Sequence, residues 1–121
     1  MKILIVDDDI ELTKAVVASV SSFDHDVQFT NEPRKGLKLI KEQNNDLVFL
    51  DLAMPEFSGI DIINELAKDG TIKEKKIVVM TASAVKEEEL NHLIDLGVHS
   101  ILRKPVDIDA LLDKIEEIGS S

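Results

Sequence analysis

Neither cysteine, tryptophan nor tyrosine occurs in this chain, and phenylalanine supplies its only aromatic rings. Without cysteine, disulfides and thiolate chemistry are excluded, and the absence fits a reducing compartment. Without tryptophan or tyrosine, the rings that usually stack on a flavin are missing. Long apolar runs are missing too: none approaches the ~20 residues a membrane helix needs. At the N-terminus, Lys2 and a short apolar run precede Asp7-Asp8-Asp9, too little for a signal-peptide core. Positive charge is scarce, with 14 basic against 24 acidic residues and a net charge of −10. That balance disfavours non-specific binding to nucleic acid or an anionic membrane. It suits a basic partner or a site that holds a cation. A soluble cytoplasmic protein is the simplest expectation.

What is present is globular. At 44% hydrophobic and 31% charged over 121 residues, the chain can bury roughly two-thirds of its unfolded surface around one core. Strand-like runs begin near residues 2, 26, 47, 77 and 100. Helical periodicity lies between them, on Leu12, Val16 and Val20 over about residues 10–22, and on Leu37, Ile40 and Lys41 after Pro33, which suits a first helical turn. Ile62, Ile63 and Leu66 pattern a third helix, Leu90, Leu93, Ile94 and Leu96 a fourth, and Ile108, Leu111, Leu112, Ile115 and Ile118 a fifth. Gly70 and Gly97 stand where helix ends favour glycine. Alternation of this kind, with strands apolar on both faces, predicts an α/β fold: a parallel sheet covered by helices on both sides. Residues 26–30 alternate, as an edge strand would. One domain is expected over residues 1–118, with 119–121 as a tail and no room for a second domain.

Four of the five apolar runs end on residues suited to phosphate or metal chemistry. They run into Asp7-Asp8-Asp9, Asp51, Thr81 and Lys104-Pro105. In open parallel sheets, ligands bind outside the carboxyl ends of the strands, so these groups should converge on one crevice. Carboxylates that close raise one another's pKa unless a cation intervenes. Magnesium, a hard ion that takes carboxylate, water and phosphate oxygens, fits best. With no cysteine, and with His25, His92 and His99 away from the strand ends, zinc and copper are disfavoured. A carboxylate can also be the nucleophile toward phosphorus, with Lys104 and Thr81 contacting the phosphoryl oxygens. Asp51 is the best nucleophile because it ends the central run.

Each of these residues also has an ordinary reading. Asp8 and Glu11 make a capping box for the first helix. Thr81 alone is a strand-end threonine, Lys104 an extended lysine before proline, and Asp51 a loop acid. Those readings do not predict all of them together at successive strand ends.

In its motifs the chain resembles the receiver domain of two-component response regulators, from Lys2 to about Ile118. The likeness rests on Ile5-Val6-Asp7-Asp8, Asp51-Leu52-Ala53-Met54-Pro55 with Gly59, Met80-Thr81-Ala82, and Lys104-Pro105. It implies a doubly wound, flavodoxin-like five-stranded sheet of order 2-1-3-4-5. It also implies that Asp51 accepts a phosphoryl group from a histidine kinase or phosphotransfer protein. Mg2+ would be bound by Asp8, Asp51 and the backbone carbonyl of Ala53, with Asp7 acting through water. Thr81 and Lys104 would grip the phosphoryl oxygens, and the Lys104–Pro105 bond would be cis. Output would pass to a protein target through the face made by the fourth helix, fifth strand and fifth helix, without direct nucleic-acid or membrane binding.

Two positions depart from the family pattern. Ile101 stands where an aromatic switch residue is usual, and Val106 where phenylalanine is common. Thr81 is still expected to move, with Ile101 signalling through small packing changes. Ala53 and Ser83 stand at positions that help set dephosphorylation rate in the family; the small apolar Ala53 offers no obvious group to orient an attacking water, so a moderately long-lived phosphoryl group is expected. Three other readings compete: a Mg-dependent hydrolase with an aspartyl-phosphate intermediate and Asp7-x-Asp9 as its acid pair, a flavin carrier, and a receiver that has lost phosphorylation.

Overall fold

The computed structural model describes residues 1–21, 25–54, 56–82, 85–104 and 106–119. Its elements alternate as the periodicity predicts: β1 (Lys2–Val6), α1 (Ile10–Ser21), β2 (Asp26–Thr30), α2 (Pro33–Glu42), β3 (Leu47–Asp51), α3 (Gly59–Lys68), β4 (Ile77–Thr81), α4 (Glu87–Leu96), β5 (Ser100–Arg103) and α5 (Ile108–Gly119). A 3₁₀ turn, Thr71–Lys73, which periodicity does not reveal, leads from α3 toward β4. All strand pairs are parallel, in the order β2-β1-β3-β4-β5.

The strand period of two sends alternate side chains to opposite faces, and each face has its own core. Leu4, Val6, Val48, Leu50, Ile77 and Val79 pack with Ile40 of α2, Ile62, Ile63 and Leu66 of α3, and Leu90 and Leu93 of α4. On the other face Ile3, Ile5, Leu47, Phe49, Val78 and Met80 meet Val16 and Val20 of α1 and Leu111, Ile115 and Ile118 of α5. β3 and β4 are buried from end to end, which is why their sequences read as continuous apolar runs. β2 is an edge strand, as expected, but Phe29 is 44% exposed. It is in register with Ile5, and the sheet continues on one side of it only.

Helix ends match the sequence expectations at α2 and α4 and differ at α1. Pro33 opens α2. Gly97 caps α4 at φ 127°, and Gly70, just past α3, has φ 80°, backbone that L side chains rarely adopt. At α1 the cap is Asp9, not Asp8: the Leu12 amide donates to Asp9 Oδ1 at 3.1 Å. Three consecutive aspartates offer three candidate caps, and the helix begins at Ile10. A Glu11 box is therefore out of register. A true capping box holds α3, where Ser58 and Asp61 exchange hydrogen bonds. Lys41, assigned to the apolar face of α2, is exposed and pairs with Asp69 at 2.9 Å. There the Thr71 hydroxyl and amide, with Lys41, hold the Asp69 carboxyl well below its usual range.

Candidate functional site

The carboxyl ends of β1, β3, β4 and β5 place Asp7, Asp51, Thr81 and Lys104 at one edge of the sheet. Asp7, Asp51 and Thr81 are essentially inaccessible to solvent, and Asp8 is exposed. Carboxylate oxygens of Asp7, Asp8 and Asp51 all lie within 4.8 Å of one another. Lys104 comes from the opposite end of the chain to meet them. Its Nζ is 3.1 Å from Asp7 Oδ2 and 3.4 Å from Asp51 Oδ1. Its backbone amide donates to the Thr81 carbonyl at 2.6 Å, carrying the β4–β5 pairing to the edge of the site.

Each carboxylate is further fixed by main chain. The Ala53 amide donates to Asp51 Oδ1 at 3.1 Å, and the Asp9 amide to Asp7 Oδ1 at 2.9 Å. The Leu52 amide continues the β3–β4 ladder onto the Met80 carbonyl at 3.0 Å. Gly59 allows the start of α3 to lie against this strand end, because a Cβ there would collide with the Asp51 carbonyl oxygen.

Electrostatics follow from that crowding. Burial, then the charge on Asp7, raise the Asp51 pKa from 3.8 to about 6, against the pull of the Ala53 amide and Lys104. For Lys104, burial works against the charged form. The contacts with Asp7 and then Asp51 outweigh it and hold the ammonium above its ordinary pKa. One half-buried cation between two buried carboxylates leaves negative charge uncompensated. A small divalent cation with oxygen preference fits this donor set, and the exposed Asp8 provides a carboxylate at its open side.

Asp7, Asp8, Asp51 and Lys104 converge as expected, with Thr81 at the end of the adjoining strand. Two further expectations, the cis bond at Pro105 and the role of Ser83, fall outside the described residues. The Thr81 hydroxyl donates to the Ala82 carbonyl at 3.2 Å. Ile101 is half-buried against the α2–α3–α4 core, in register with Val79. Asp9 is committed to capping α1, so the Asp7-x-Asp9 acid pair of the hydrolase reading lacks its second member. Two residues escaped sequence reasoning. Asn31, after β2, donates through Nδ2 to the Asp7 carbonyl at 2.7 Å. Thr13, fully buried on α1, donates to the Asp9 carbonyl at 2.7 Å. No motif marks either: Asn31 acts across a fold contact, and the Thr13 bond, four residues back along α1, is one that any helical threonine can make.

No helix among the described residues is long and apolar enough to cross a membrane. The model of the response regulator receiver domain matches residues 3–116. Curated relatives include the transcriptional regulatory protein DltR of Streptococcus agalactiae, 30% identical over 95% of this chain and 50% of its own length. Another is the response regulator ArlR of Staphylococcus saprophyticus, 29% identical over 94% of this chain and 50% of its own length. The chain thus spans about half the length of these relatives. Among solved structures, the signal receiver domain of a putative Luxo repressor protein from Vibrio parahaemolyticus superposes with a TM-score of 0.86 at 22% identity, covering 97% of this chain and 88% of that one. The chemotaxis protein CheY4 of Vibrio cholerae gives 0.83 at 20%, covering 97% of each chain. At such identities these structures speak for the fold. The family match, which spans nearly the whole chain, decides the rest: this chain belongs to the response regulator receiver domains.

Proposed function

We propose that Asp51 is the phosphoacceptor, charged by the phosphohistidine of a sensor kinase or a phosphotransfer protein. The observation that carries this is the meeting of three carboxylates with one ammonium, 3.1 and 3.4 Å from two of them. In the transfer, the donor P–N bond breaks as a P–O bond forms to an Asp51 oxygen, and the freed imidazole takes a proton from solvent. Ala53 and Lys104 already orient the acceptor carboxylate, so little freedom is lost on reaching the reactive geometry. Lys104 then follows the charge, moving its contact from the carboxylate to a phosphoryl oxygen. Among the described residues the Thr81 hydroxyl bonds to a neighbouring carbonyl, and a rotation lets it donate to the phosphoryl group instead. Magnesium, held by Asp8, Asp51 and the Ala53 carbonyl with Asp7 acting through water, would supply the remaining positive charge to the phosphoryl oxygens.

The phosphorylated chain acts by binding a protein target through the α4–β5–α5 face, within a receiver unit ending near residue 118. Ala53 brings only a methyl group beside the acceptor, so water is poorly oriented and the phosphoryl group persists. Ile101 transmits the change through its packing against the α4 side of the sheet.

Intact-mass measurement with Mg2+ and acetyl phosphate tests the reading. One added phosphoryl group is expected, absent from Asp51→Asn and absent without Mg2+. No gain in the unsubstituted chain would overturn it. Amide shifts along residues 86–103 in the same sample should change on phosphorylation, and their constancy would rule out output through this face.

A further inference from the structure

Asp8 poses a structural problem that Asp7 and Asp51 do not. Those two are held by hydrogen bonds to their own carboxylates. Among the described residues, none reaches the Asp8 carboxylate, although its oxygen lies within 4.8 Å of the other two. Its place is therefore set by backbone alone, against repulsion from two neighbouring acids.

The backbone on either side of Asp8 is anchored twice. On the C-terminal side the Asp9 amide donates to Asp7 Oδ1 at 2.9 Å, and the Asp9 carbonyl receives the Thr13 amide at 3.0 Å and the Thr13 hydroxyl at 2.7 Å. On the N-terminal side the Asp7 carbonyl, part of the peptide that carries Asp8, receives Asn31 Nδ2 at 2.7 Å. A carbonyl only accepts, so the group turned toward it must be the amide NH2 of Asn31. The same nitrogen lies 3.5 Å from Thr13 Oγ1, which links the two anchors. The β1–β2 ladder ends one atom group earlier, where the Asp7 amide donates to the Thr30 carbonyl at 3.2 Å. Asn31 extends that ladder by one side-chain bond. Without it, the peptide between Asp7 and Asp8 is free to rotate and let the carboxylates separate.

We infer that Asn31 is a positioning residue for the cation: it fixes the Asp7–Asp8 peptide and so holds Asp8 in the carboxylate cluster. The inference rests on the phosphoacceptor reading for its purpose, but the anchor itself can be measured without metal or phosphate.

The test compares Asn31→Ala with Val27→Ala, a truncation in the strand that leads into Asn31, at the end remote from the site. Both are expected to lower the urea midpoint of the metal-free chain. Only Asn31→Ala is expected to weaken Mg2+ binding, by about three- to tenfold in a calorimetric or amide-shift titration, the size of one anchoring hydrogen bond. It should also speed metal-free amide exchange at Asp9 and Leu12. Should Asn31→Ala not fold, Asn31→Ser carries the same comparison. Unchanged Mg2+ affinity in the Asn31 variant, or equal weakening in both variants, overturns the inference. If the unsubstituted chain binds no Mg2+, the phosphoacceptor reading is what fails. Amide exchange then judges the anchor: faster exchange confined to the Asn31 variant upholds it, and equal exchange in both variants refutes it.

Discussion

Asp51 is held as a carboxyl near pH 6 by burial and by Asp7, and that gives a single residue a visible hand in stability. Between pH 4 and 6 the folded chain keeps a proton that the unfolded chain, with an ordinary pKa of 3.8, has lost. Stability of the metal-free chain should therefore fall as pH rises through this window and level off above it. Asp51→Asn removes the titration. We expect the variant to be more stable than the parent at pH 7 by about 1–2 kcal/mol, less than the full shift would give because the asparagine no longer forms an ion pair with Lys104. Urea midpoints against pH in the presence of a chelator measure this. A variant that keeps the slope would place the titration elsewhere. Functional loss and gained stability from one substitution would mark Asp51 as a residue retained for chemistry rather than for folding.

At the scale of elements, the site depends on how closely α3 approaches the end of β3. Gly59 has no room for a Cβ against the Asp51 carbonyl and Leu52 Cα. Gly59→Ala must push the start of α3 away from the strand, and we expect a loss of about 2–3 kcal/mol together with slower phosphoryl uptake. Gly70→Ala is the contrasting substitution, because Gly70 has open space around it. Its penalty is confined to the left-handed backbone, and the uptake rate should stay unchanged. Equal uptake in both variants would show that α3 does not set the geometry of the acceptor.

These elements also show which parts of the molecule the sequence revealed. β3 and β4 were legible because burial on both faces leaves an unbroken apolar run, and their terminal Asp51 and Thr81 were legible with them. The strand order was not encoded in periodicity and came only with the family motif. The cap of α1 was misplaced because local spacing cannot choose among Asp7, Asp8 and Asp9. The Ser58–Asp61 box went unread beside the louder Asp51 motif. Asn31 was invisible for a different reason: its partner is a backbone carbonyl 24 residues away, and no local pattern records such a contact.

For the whole molecule, a cation that binds only the folded state adds stability by mass action, about 2.7 kcal/mol at a hundred times its dissociation constant. The melting temperature should rise with Mg2+ and saturate. The rise should be largely lost in Asp8→Asn, whose carboxylate is exposed and takes no part in the core. A Mg2+-independent melting temperature in the unsubstituted chain would argue against the cation site altogether.

Asp51 ends a central strand bonded on both sides, to β1 and β4, and buried along its whole length. Segments of this kind open only with the entire fold. On the phosphoacceptor reading proposed above, a mark written there would not be erased by fraying of a loop or terminus. Its lifetime would be set by water reaching one phosphorus atom. Signal duration and fold durability would then be separate clocks in one small domain, and substitutions at the mouth of the site would reset the first without touching the second.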